Sequence, residues 1–343
     1  MWRRVRHTGT VFGRFAPSPS GRLHLGNLRT ALAAWLLAGL SGRGFLVRIE
    51  DLDPVTSSSA IAAAQLDDLR ALGIGFEPDV MFQSERMEHY TAALEQLRDR
   101  GLVYPCFCSR REIAEAANAP HDPVPTALSD PMAHSGTDAV LDLVVERPYP
   151  GTCRDLDASE AKRRLASGAR AALRLRAEAV ALQVNDDVVG PVRAFVDDMV
   201  LQRADGVIAY HLAVVVDDAA QQITQVVRGD DLLASTPRQV YLQRLLGYPT
   251  PQYVHLPLVI DPDGRRLAKR DGAVTLEGLA AEGIDGIAVL RGLGASLGIA
   301  GASRIDSADG LLEAAGAAGF GLGDVARTPI LTDDLLAMIR ASE

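Results

Sequence analysis

The first hundred residues alternate between short apolar runs and longer segments in which apolar residues recur at helical spacing. Apolar runs of strand length predict strands at 10–15, 44–50, 80–83 and 102–107. Helical spacing between these runs predicts helices at 28–40, 57–72 and 85–100. Alternation of this kind is typical of an α/β fold with a doubly wound parallel sheet.

The rest of the chain has a less regular pattern. Residues 118–148 are rich in Pro, Ala and Asp without a clean period, which predicts a long loop. Residues 195–218 are predicted to be strand-rich, with a hairpin turn at 204–206. Ser235 is predicted to be the N-cap of a helix that ends at Leu246. The last predicted elements are a strand at 255–260, a loop at 261–272 and a helical region from Thr275 onward.

The composition indicates a globular protein. The chain has 343 residues, of which 48% are hydrophobic, and its mean hydropathy is +0.07, so we expect a sizeable core and two domains. No apolar run approaches the roughly 18 residues of a membrane span, and no signal-peptide core follows the basic start. The net charge of −9 argues against a non-specific nucleic-acid binder. We expect a cytoplasmic, monomeric protein with no membrane partner.

Residues 12–27 carry the first candidate site. Their sequence, FGRFAPSPSGRLHLGN, predicts a strand, a Pro/Ser/Gly turn and the start of a helix. Unpaired N–H groups at a helix N-terminus suit a phosphate, and Gly26 lets a nucleotide approach the backbone. His24 and Asn27 are three residues apart and can face that nucleotide together. The alternative is that His24 only caps the helix.

Carboxylates follow the second predicted strand. Glu50 ends that strand, and Asp51 and Asp53 come directly after it. Open α/β sheets bind ligands just beyond the carboxyl ends of their strands. For Asp51 and Asp53 an equally simple role is to cap the following helix.

All three cysteines of the chain, Cys106, Cys108 and Cys153, lie in one region. An odd number of cysteines does not suit a disulfide framework, whereas three thiolates and one further donor would complete a tetrahedral zinc site. Tyr149, His121 or His134 could supply that donor. Alternatively, the cysteines are small buried hydrophobic residues.

Two basic segments are candidates for binding anions. Only two of the 35 basic residues are lysines, and one of them, Lys269, lies in a Gly-bounded loop where it could act as a compact charge on phosphate. Arg265, Arg266 and Arg270 of that loop could help to clamp a polyphosphate, unless the loop is an ordinary surface turn. Residues 162–176 are also basic and form either a solvated face or a contact with an RNA backbone.

Taken together, these features resemble a class I aminoacyl-tRNA synthetase of the glutamate branch, and more narrowly the glutamyl-Q tRNA(Asp) synthetases. The resemblance covers most of residues 12–275. It is carried, in family order, by RFAPSPSGRLHLGN (the "HIGH" region), RIEDLDP, CFC with YPGTC, DGVIAYHLAVVVDD, VVRGDDLLASTPRQ and RRLAKR (the "KMSKS" region).

The resemblance implies a Rossmann-type catalytic domain, a doubly wound parallel sheet, that is interrupted by a zinc-binding subdomain which contacts the acceptor RNA. The implied divisions are a first catalytic half at 8–104, the insertion at 105–193, a second catalytic half at 194–262, and the KMSKS-like loop with a helical C-terminal region at 263–343. The implied cofactors are ATP, Mg²⁺ and Zn²⁺, and the implied partners are L-glutamate and tRNA(Asp) carrying queuosine.

The resemblance also implies roles for individual residues. Two arginines for the two carboxylates of glutamate, and Glu50 for its ammonium, would suit that substrate. The implied glutamate site is Arg14, Phe15, Ala16, Pro17, Ser18, Glu50, Tyr210 and Arg228. The implied ATP site is Pro17, His24, Gly26, Asn27 and Lys269, with His24, Asn27 and Lys269 catalytic. The implied zinc ligands are Cys106, Cys108, Tyr149 and Cys153.

The chain departs from the family pattern in a few places. Arg266 and Ala268 replace a lysine and a serine of the KMSKS-like loop, Asn27 replaces the last histidine of the HIGH tetrad, and the spacer between Cys108 and Tyr149 is long. Few residues follow the loop of Lys269, which disfavours a further anticodon-binding domain and favours the glutamyl-queuosine activity. The alternatives are a minimal glutamyl-tRNA synthetase, another HxGH-type nucleotidyltransferase, and a non-catalytic tRNA-binding paralogue.

Overall fold

The computed structural model describes residues 11–109, 111–113, 140–143, 149–178, 180–263, 274–321 and 329–342. Its strands are β1 (Phe12–Phe15), β2 (Gly44–Ile49), β3 (Met81–Phe82), β4 (Val103–Cys106), β5 (Leu141–Leu143), β6 (Ala172–Leu175), β7 (Ala181–Asp186), β8 (Gly190–Phe195), β9 (Val200–Gln202), β10 (Ile223–Gly229), β11 (Gln252–Leu256), β12 (Val259–Ile260) and β13 (Ile330–Leu331). Its α-helices are α1 (Leu25–Leu40), α2 (Ser59–Ala71), α3 (Met87–Asp99), α4 (Ala158–Ala166), α5 (Tyr210–Ala220), α6 (Thr236–Leu246), α7 (Leu276–Ala281), α8 (Gly286–Ser296), α9 (Ala308–Ala317) and α10 (Thr332–Arg340).

The predicted α/β fold is confirmed. An eight-stranded sheet runs in the order β3-β2-β1-β10-β11-β7-β8-β5. The five strands from β3 to β11 are parallel, and β7 joins them in parallel through Tyr253 and Asp186. The chain winds from β1 outward to β3 on one side, and β10 and β11 continue on the other. The strand order therefore reverses between β1 and β10, where open α/β sheets bind their ligands.

Helix α1 forms the centre of the core. Its residues are apolar around most of its circumference, and Leu28, Leu32 and Leu36 are fully buried. It packs on β1 and β2 on one side and against α8 and α9 on the other. A helix that is apolar all round is typical of such a central position. Each fully buried leucine contributes about 1.5–3 kcal/mol relative to an exposed one.

One predicted strand pairs differently from the expectation, and one strand lies where a loop was predicted. The strand predicted at 102–107 is present as β4, but it pairs antiparallel with β6 in a separate sheet of order β4-β6-β9. Within the predicted loop at 118–148, Leu141–Leu143 forms β5 and pairs with β8, so the loop prediction is wrong for this part. Residues 118–139 and 144–148 of that segment lie outside the described residues.

The strand-rich prediction for 195–218 is wrong in its second half, where residues 210–220 form helix α5. Three successive valines favour a strand locally, but this helix buries residues on all sides. Its Asp217 accepts from the partly buried Arg86 and its Asp218 from the buried Arg14, whereas successive residues of a strand would point to opposite faces.

The predicted helix caps were also partly wrong. Helix α2 is capped by Ser58, not by Asp51 or Asp53. Asp51 instead accepts hydrogen bonds from the backbone N–H and hydroxyl of Ser84, and Asp53 accepts from Arg203. Ser235 occupies the predicted N-cap position of α6, and this helix ends at Leu246 as predicted, but the Ser235 side chain makes no capping hydrogen bond.

None of the helices in the described ranges combines the length and apolar character needed to cross a membrane.

Candidate functional site

A cavity of about 610 Å³ opens at the point where the strand order reverses. Its walls come from the ends of β1 and β10, the loop after β1, the first turn of α1, and the segment that joins β11 to β12. The sheet topology therefore brings together the segments that follow several strands, although the most distant of them are more than 200 residues apart in the chain. The volume is within the range of small-molecule sites in proteins.

His24 is both a helix cap and a wall of this cavity. Its Nδ1 accepts hydrogen bonds from the backbone N–H groups of Gly26 (3.1 Å) and Asn27 (3.4 Å), and the Asn27 side chain accepts from the backbone N–H of His24. The predicted capping role is therefore present. Because Nδ1 is the acceptor, a neutral His24 carries its proton on Nε2. A Cβ at Gly26 would lie 3.0 Å from the imidazole, so a larger residue there would require the ring to move by a few tenths of an ångström.

The Pro/Ser loop after β1 is fixed by contacts to α2 and β2. The Gln65 side chain donates to the carbonyl groups of Ser18 (3.1 Å) and Gly21 (2.7 Å). The backbone N–H of Glu50 donates to the carbonyl of Pro17 (3.0 Å). A loop held this way presents its backbone to the cavity in one conformation. Ligand binding then does not have to order the loop, which lowers the entropic cost of binding.

A buried ion-pair network lies under one wall. Arg14 Nε and Nη2 donate to the two carboxylate oxygens of Asp218, each at 3.3 Å. Arg48 donates to Asp218 (2.7 Å) and to Glu50 (3.2 Å). The second acid, Asp217, is held by Gln83, Arg86 and Tyr90. In this part of the structure the positive and negative side chains compensate each other, as buried charges require.

Glu50 lies one residue beyond β2 and faces the cavity. Burial raises the pKa of Glu50 above its usual range, although Arg48 and Arg14 act in the opposite direction. A cation placed beside Glu50 would stabilise its charged form. Its position and charge are therefore suited to an ammonium group.

Arg228 has a different environment from Arg14 and Arg48. It is only 5% exposed, and it donates to His255 Nε2 (3.0 Å), Gln239 (2.9 Å) and Thr236 (2.8 Å). It also donates to the hydroxyl of Tyr210 at 3.3 Å. All of these partners are neutral acceptors, and within the described ranges no carboxylate forms an ion pair with it. A buried cation without an anionic partner is costly, so this cavity wall favours an anionic ligand.

The structure brings most of the predicted site residues together. The predicted site residues that line the cavity are Arg14, Phe15, Ala16, Pro17, Ser18, His24, Gly26, Asn27, Glu50, Tyr210 and Arg228. The loop that carries Arg265, Arg266, Ala268, Lys269 and Arg270 lies outside the described residues. Sequence reasoning missed the residues that support the cavity from behind, which are Arg48, Asp186, Asp217, Asp218 and His255.

A second cluster contains the three cysteines. The sulfur atoms of Cys106, Cys108 and Cys153 all lie within 4.8 Å of one another, and those of Cys108 and Cys153 are 3.5 Å apart. The Tyr149 hydroxyl lies 3.3 Å from the sulfur of Cys106 and 3.7 Å from that of Cys108. His121 and His134 lie outside the described residues.

These distances fit a tetrahedral metal site. Sulfur ligands at about 2.3 Å from zinc are about 3.8 Å from each other, close to the separations in the cluster. Burial raises the pKa of Cys108 to about 11, so a metal would have to displace its proton. For Cys106, burial is outweighed by hydrogen bonds with Tyr149 and Arg174, which hold its pKa below the usual range. The donor set is suited to zinc.

The basic segment at 162–176 divides into two parts. In α4, Arg163 and Arg164 form exposed ion pairs with Glu160, as a solvated helix face does. In β6, Arg174 is buried and its guanidinium lies 3.7 Å from the centre of the Tyr149 ring. This arginine therefore supports the cysteine cluster, and contact with RNA stays a prediction for the exposed part.

Comparison with known proteins identifies relatives. A model of the catalytic domain of class I tRNA synthetases (E and Q) matches residues 10–304. The chain is 53% identical over 287 residues to the glutamyl-Q tRNA(Asp) synthetase of Nocardia farcinica, with 84% of this chain and 85% of that protein covered. It is 47% identical to the protein of the same name from Symbiobacterium thermophilum, with 79% and 81% covered.

A solved structure also resembles the chain. The crystal structure of a glutamate tRNA ligase from Elizabethkingia meningosepticum, in complex with its amino acid, superposes with a TM-score of 0.74 at 25% identity. The match covers 96% of this chain and 69% of that ligase.

Proposed function

Since this chain belongs to the glutamyl-Q tRNA(Asp) synthetase family of class I tRNA synthetases, we propose that it activates L-glutamate with ATP and transfers the glutamyl group to queuosine in the anticodon of tRNA(Asp). In the first step a carboxylate oxygen of glutamate attacks the α-phosphorus of ATP, and the bond to pyrophosphate breaks. In the second step a hydroxyl of queuosine attacks the carbonyl of the glutamyl-adenylate, and AMP leaves.

Arg228 is the observation that carries the choice of glutamate. Free glutamate has two carboxylates and one ammonium, and hence a net charge of −1. Arg14 is already compensated by Asp218. Glu50 accepts from Arg48 but also lines the cavity, where the ammonium could contact it. Arg228 has only neutral partners among the described residues, so its charge would balance the substrate's remaining carboxylate. The charge of Arg228 and the net charge of −1 on glutamate would then cancel.

The nucleotide is proposed to bind across the N-terminus of α1. The partial positive charge of this helix N-terminus favours phosphate. The N–H groups of Leu25, Gly26 and Asn27 already donate to the Val274 carbonyl and to the His24 ring, so this charge, rather than free backbone donors, supports the proposal. His24 lines the cavity with its Nδ1 fixed by the cap, so the Nε2–H is oriented by the fold. Lys269 is proposed to hold the leaving pyrophosphate, and Mg²⁺ to accompany the phosphates of ATP. In this mechanism the protein acts by positioning the reactants and by stabilising charge on the phosphates.

Glutamate transfer to three RNAs tests this function. We expect labelled glutamate, with ATP, to appear on queuosine-containing tRNA(Asp), and not on unmodified tRNA(Asp) or tRNA(Glu). Label on tRNA(Glu) instead would make the protein a minimal glutamyl-tRNA synthetase. If no adenylate formed with any RNA, the protein would be a non-catalytic paralogue.

We also propose that Cys106, Cys108, Tyr149 and Cys153 bind one zinc ion in a structural role. Four protein donors close the coordination sphere, which is typical of structural rather than catalytic zinc. The metal would tie β4 to the turn at Tyr149–Cys153, and Arg174 would pack on the tyrosine ring from outside. The backbone N–H of Cys153 donates to the Tyr149 hydroxyl (2.8 Å) and orients that oxygen toward the sulfur atoms.

Replacement of Cys153 by serine is expected to lower the zinc content from about one ion per chain to near zero after dialysis against a chelator, because a hydroxyl is a much weaker zinc ligand than a thiolate. Elemental analysis of the purified protein measures this. Thr152→Ala changes the exposed neighbour of Cys153 and should keep the zinc. Equal zinc content in both variants would contradict the assignment.

A further inference from the structure

Arg228 is oriented by the side chain opposite to it in the sheet. Arg228 on β10 and His255 on β11 are direct partners in the parallel pairing. The Arg228 Nε donates to His255 Nε2 at 3.0 Å, and the Thr236 hydroxyl lies 3.3 Å from the same nitrogen. An imidazole nitrogen can accept these hydrogen bonds only when it carries no proton. The position of Arg228 therefore depends on the tautomer of His255.

The other nitrogen of His255 faces Asp186, at the end of β7. One Asp186 oxygen lies 2.7 Å from His255 Nδ1 and also accepts from the backbone N–H of His255 at 3.1 Å. The second oxygen accepts from the backbone N–H groups of Val188 and Val189. All four contacts need Asp186 as an acceptor, so the proton of a neutral His255 lies on Nδ1 and Nε2 is left to accept from Arg228.

The buried surroundings of His255 favour its neutral form. His255 is fully buried and Asp186 is 4% exposed. Burial lowers the pKa of His255 below its usual range even though Asp186 acts to raise it. A neutral ring is what the contact with Arg228 requires, because a second proton on Nε2 would place one cation against another.

We propose that Asp186 and His255 are positioning residues for the glutamate site, which fix the Arg228 guanidinium in the orientation that receives a substrate carboxylate. The inference rests on the proposed function, because it names glutamate as the substrate. Asp186, His255 and Arg228 lie on the neighbouring strands β7, β11 and β10, so the sheet itself holds the chain of contacts in line. Neither Asp186 nor His255 lines the cavity.

Asp186→Asn tests the proposal. An amide has one oxygen and one NH₂ group, so it cannot accept all four hydrogen bonds. If the NH₂ group of the introduced amide faces His255 Nδ1, it favours the His255 tautomer with the proton on Nε2. The Nε2–H of His255 and the Nε–H of Arg228 are then two donors that face each other, and their hydrogen bond is lost. We expect a roughly ten-fold weaker affinity for glutamate, the effect of about one disturbed charged hydrogen bond. The KM for ATP should stay unchanged in glutamate-dependent pyrophosphate exchange.

Two further variants separate positioning from simple destabilisation. Asp187→Asn removes the same charge from the exposed neighbouring residue and should leave the affinity for glutamate unchanged. His255→Gln places an amide oxygen near the position of Nε2, where it can accept from Arg228 without help from Asp186. In the His255→Gln background, Asp186→Asn should therefore cost little further affinity, which a double-mutant cycle detects.

Nitrogen-15 NMR of the histidine side chains, with His255→Gln for assignment, reads the tautomer in the free protein. A proton on Nδ1 in the wild type and a change in Asp186→Asn would support the proposal. An Nε2–H tautomer in the wild type, an equal effect of Asp187→Asn, or the same cost in both cycle backgrounds would overturn it. If the wild type bound no glutamate, the proposed function would fail on that result alone, while the tautomer would still decide whether Asp186 acts through His255 on Arg228.

Discussion

Replacing Arg228 by alanine is expected to weaken the binding of glutamate about 100-fold and to leave the binding of ATP nearly unchanged. The substitution removes the buried cation that has only neutral partners in the described structure. Charged hydrogen bonds in a buried site contribute about 1.5–3 kcal/mol, and each 1.4 kcal/mol corresponds to about a factor of ten in affinity. The KM values for glutamate and ATP in pyrophosphate exchange measure the effect.

Arg193→Ala is the matched control for this variant. Arg193 on β8 forms an ion pair with Asp142 on β5 and does not line the cavity. Its removal should leave both KM values unchanged. Equal losses for glutamate and ATP in Arg228→Ala would show that Arg228 supports the whole site rather than one carboxylate.

Arg228→Lys should give a similar loss for glutamate, in spite of its retained charge. The guanidinium donates through Nε to His255 and through its two terminal nitrogens to Gln239 and Thr236. A lysine has a single ammonium and cannot make these contacts and bind a carboxylate at the same time. An affinity close to that of the wild type would mean that the charge alone is sufficient.

The fold was largely predictable where the pattern is local. Strands β1 and β2 and helices α1 and α2 follow from apolar periodicity, because each must bury one face or both. The apolar pattern does not show which strands pair with each other. For this reason β4 was expected in the parallel sheet, whereas it pairs antiparallel with β6. Helix α5 was missed because its valines favour a strand locally, whereas its position against the buried arginines is determined by the tertiary structure.

For the candidate site, the sequence indicated the residues in motifs but not the long-range contacts between them. Residues such as His24, Glu50 and the three cysteines could be found because they stand at motif spacing or at the ends of predicted elements. The Asp186–His255 contact could not be found in this way, since the two residues are 69 positions apart and meet only through the pairing of β7 with β11. Asp218, which is 204 positions from Arg14, is a similar case. Arg48, Asp217 and Asp218 stand in segments that carry the family resemblance, but the sequence does not show which residues they contact.

The contacts behind the cavity give Arg14 and Arg228 different electrostatic environments. The fork between Arg14 and Asp218 leaves this cation compensated before any ligand arrives. The contact between Arg228 and His255 orients a cation without compensating its charge. A site that contained two uncompensated arginines would be costly in the free protein, whereas one is sufficient to balance the net charge of glutamate. This division follows from which acceptors the sheet places beside each arginine.

Lys269→Ala is expected to reduce pyrophosphate exchange by at least about a thousand-fold, a loss of roughly 4 kcal/mol of transition-state stabilisation. The expectation comes from the sequence, because the loop lies outside the described residues. The chain uses arginine at nearly every basic position, and Lys269 is one of only two lysines. An ammonium is a compact charge that can follow the leaving pyrophosphate, which a planar guanidinium does less well.

The other lysine provides the control for Lys269→Ala. Lys162 is exposed on α4, away from the cavity, so Lys162→Ala should leave pyrophosphate exchange unchanged. Because Arg266 and Ala268 replace the usual lysine and serine of the KMSKS-like loop, Lys269 would be the sole lysine of this loop. The double change Arg266→Lys with Ala268→Ser should therefore raise the rate of exchange in the presence of Lys269 and should not restore it in Lys269→Ala. Exchange close to the wild-type rate in Lys269→Ala would assign the stabilisation of pyrophosphate to the neighbouring arginines instead.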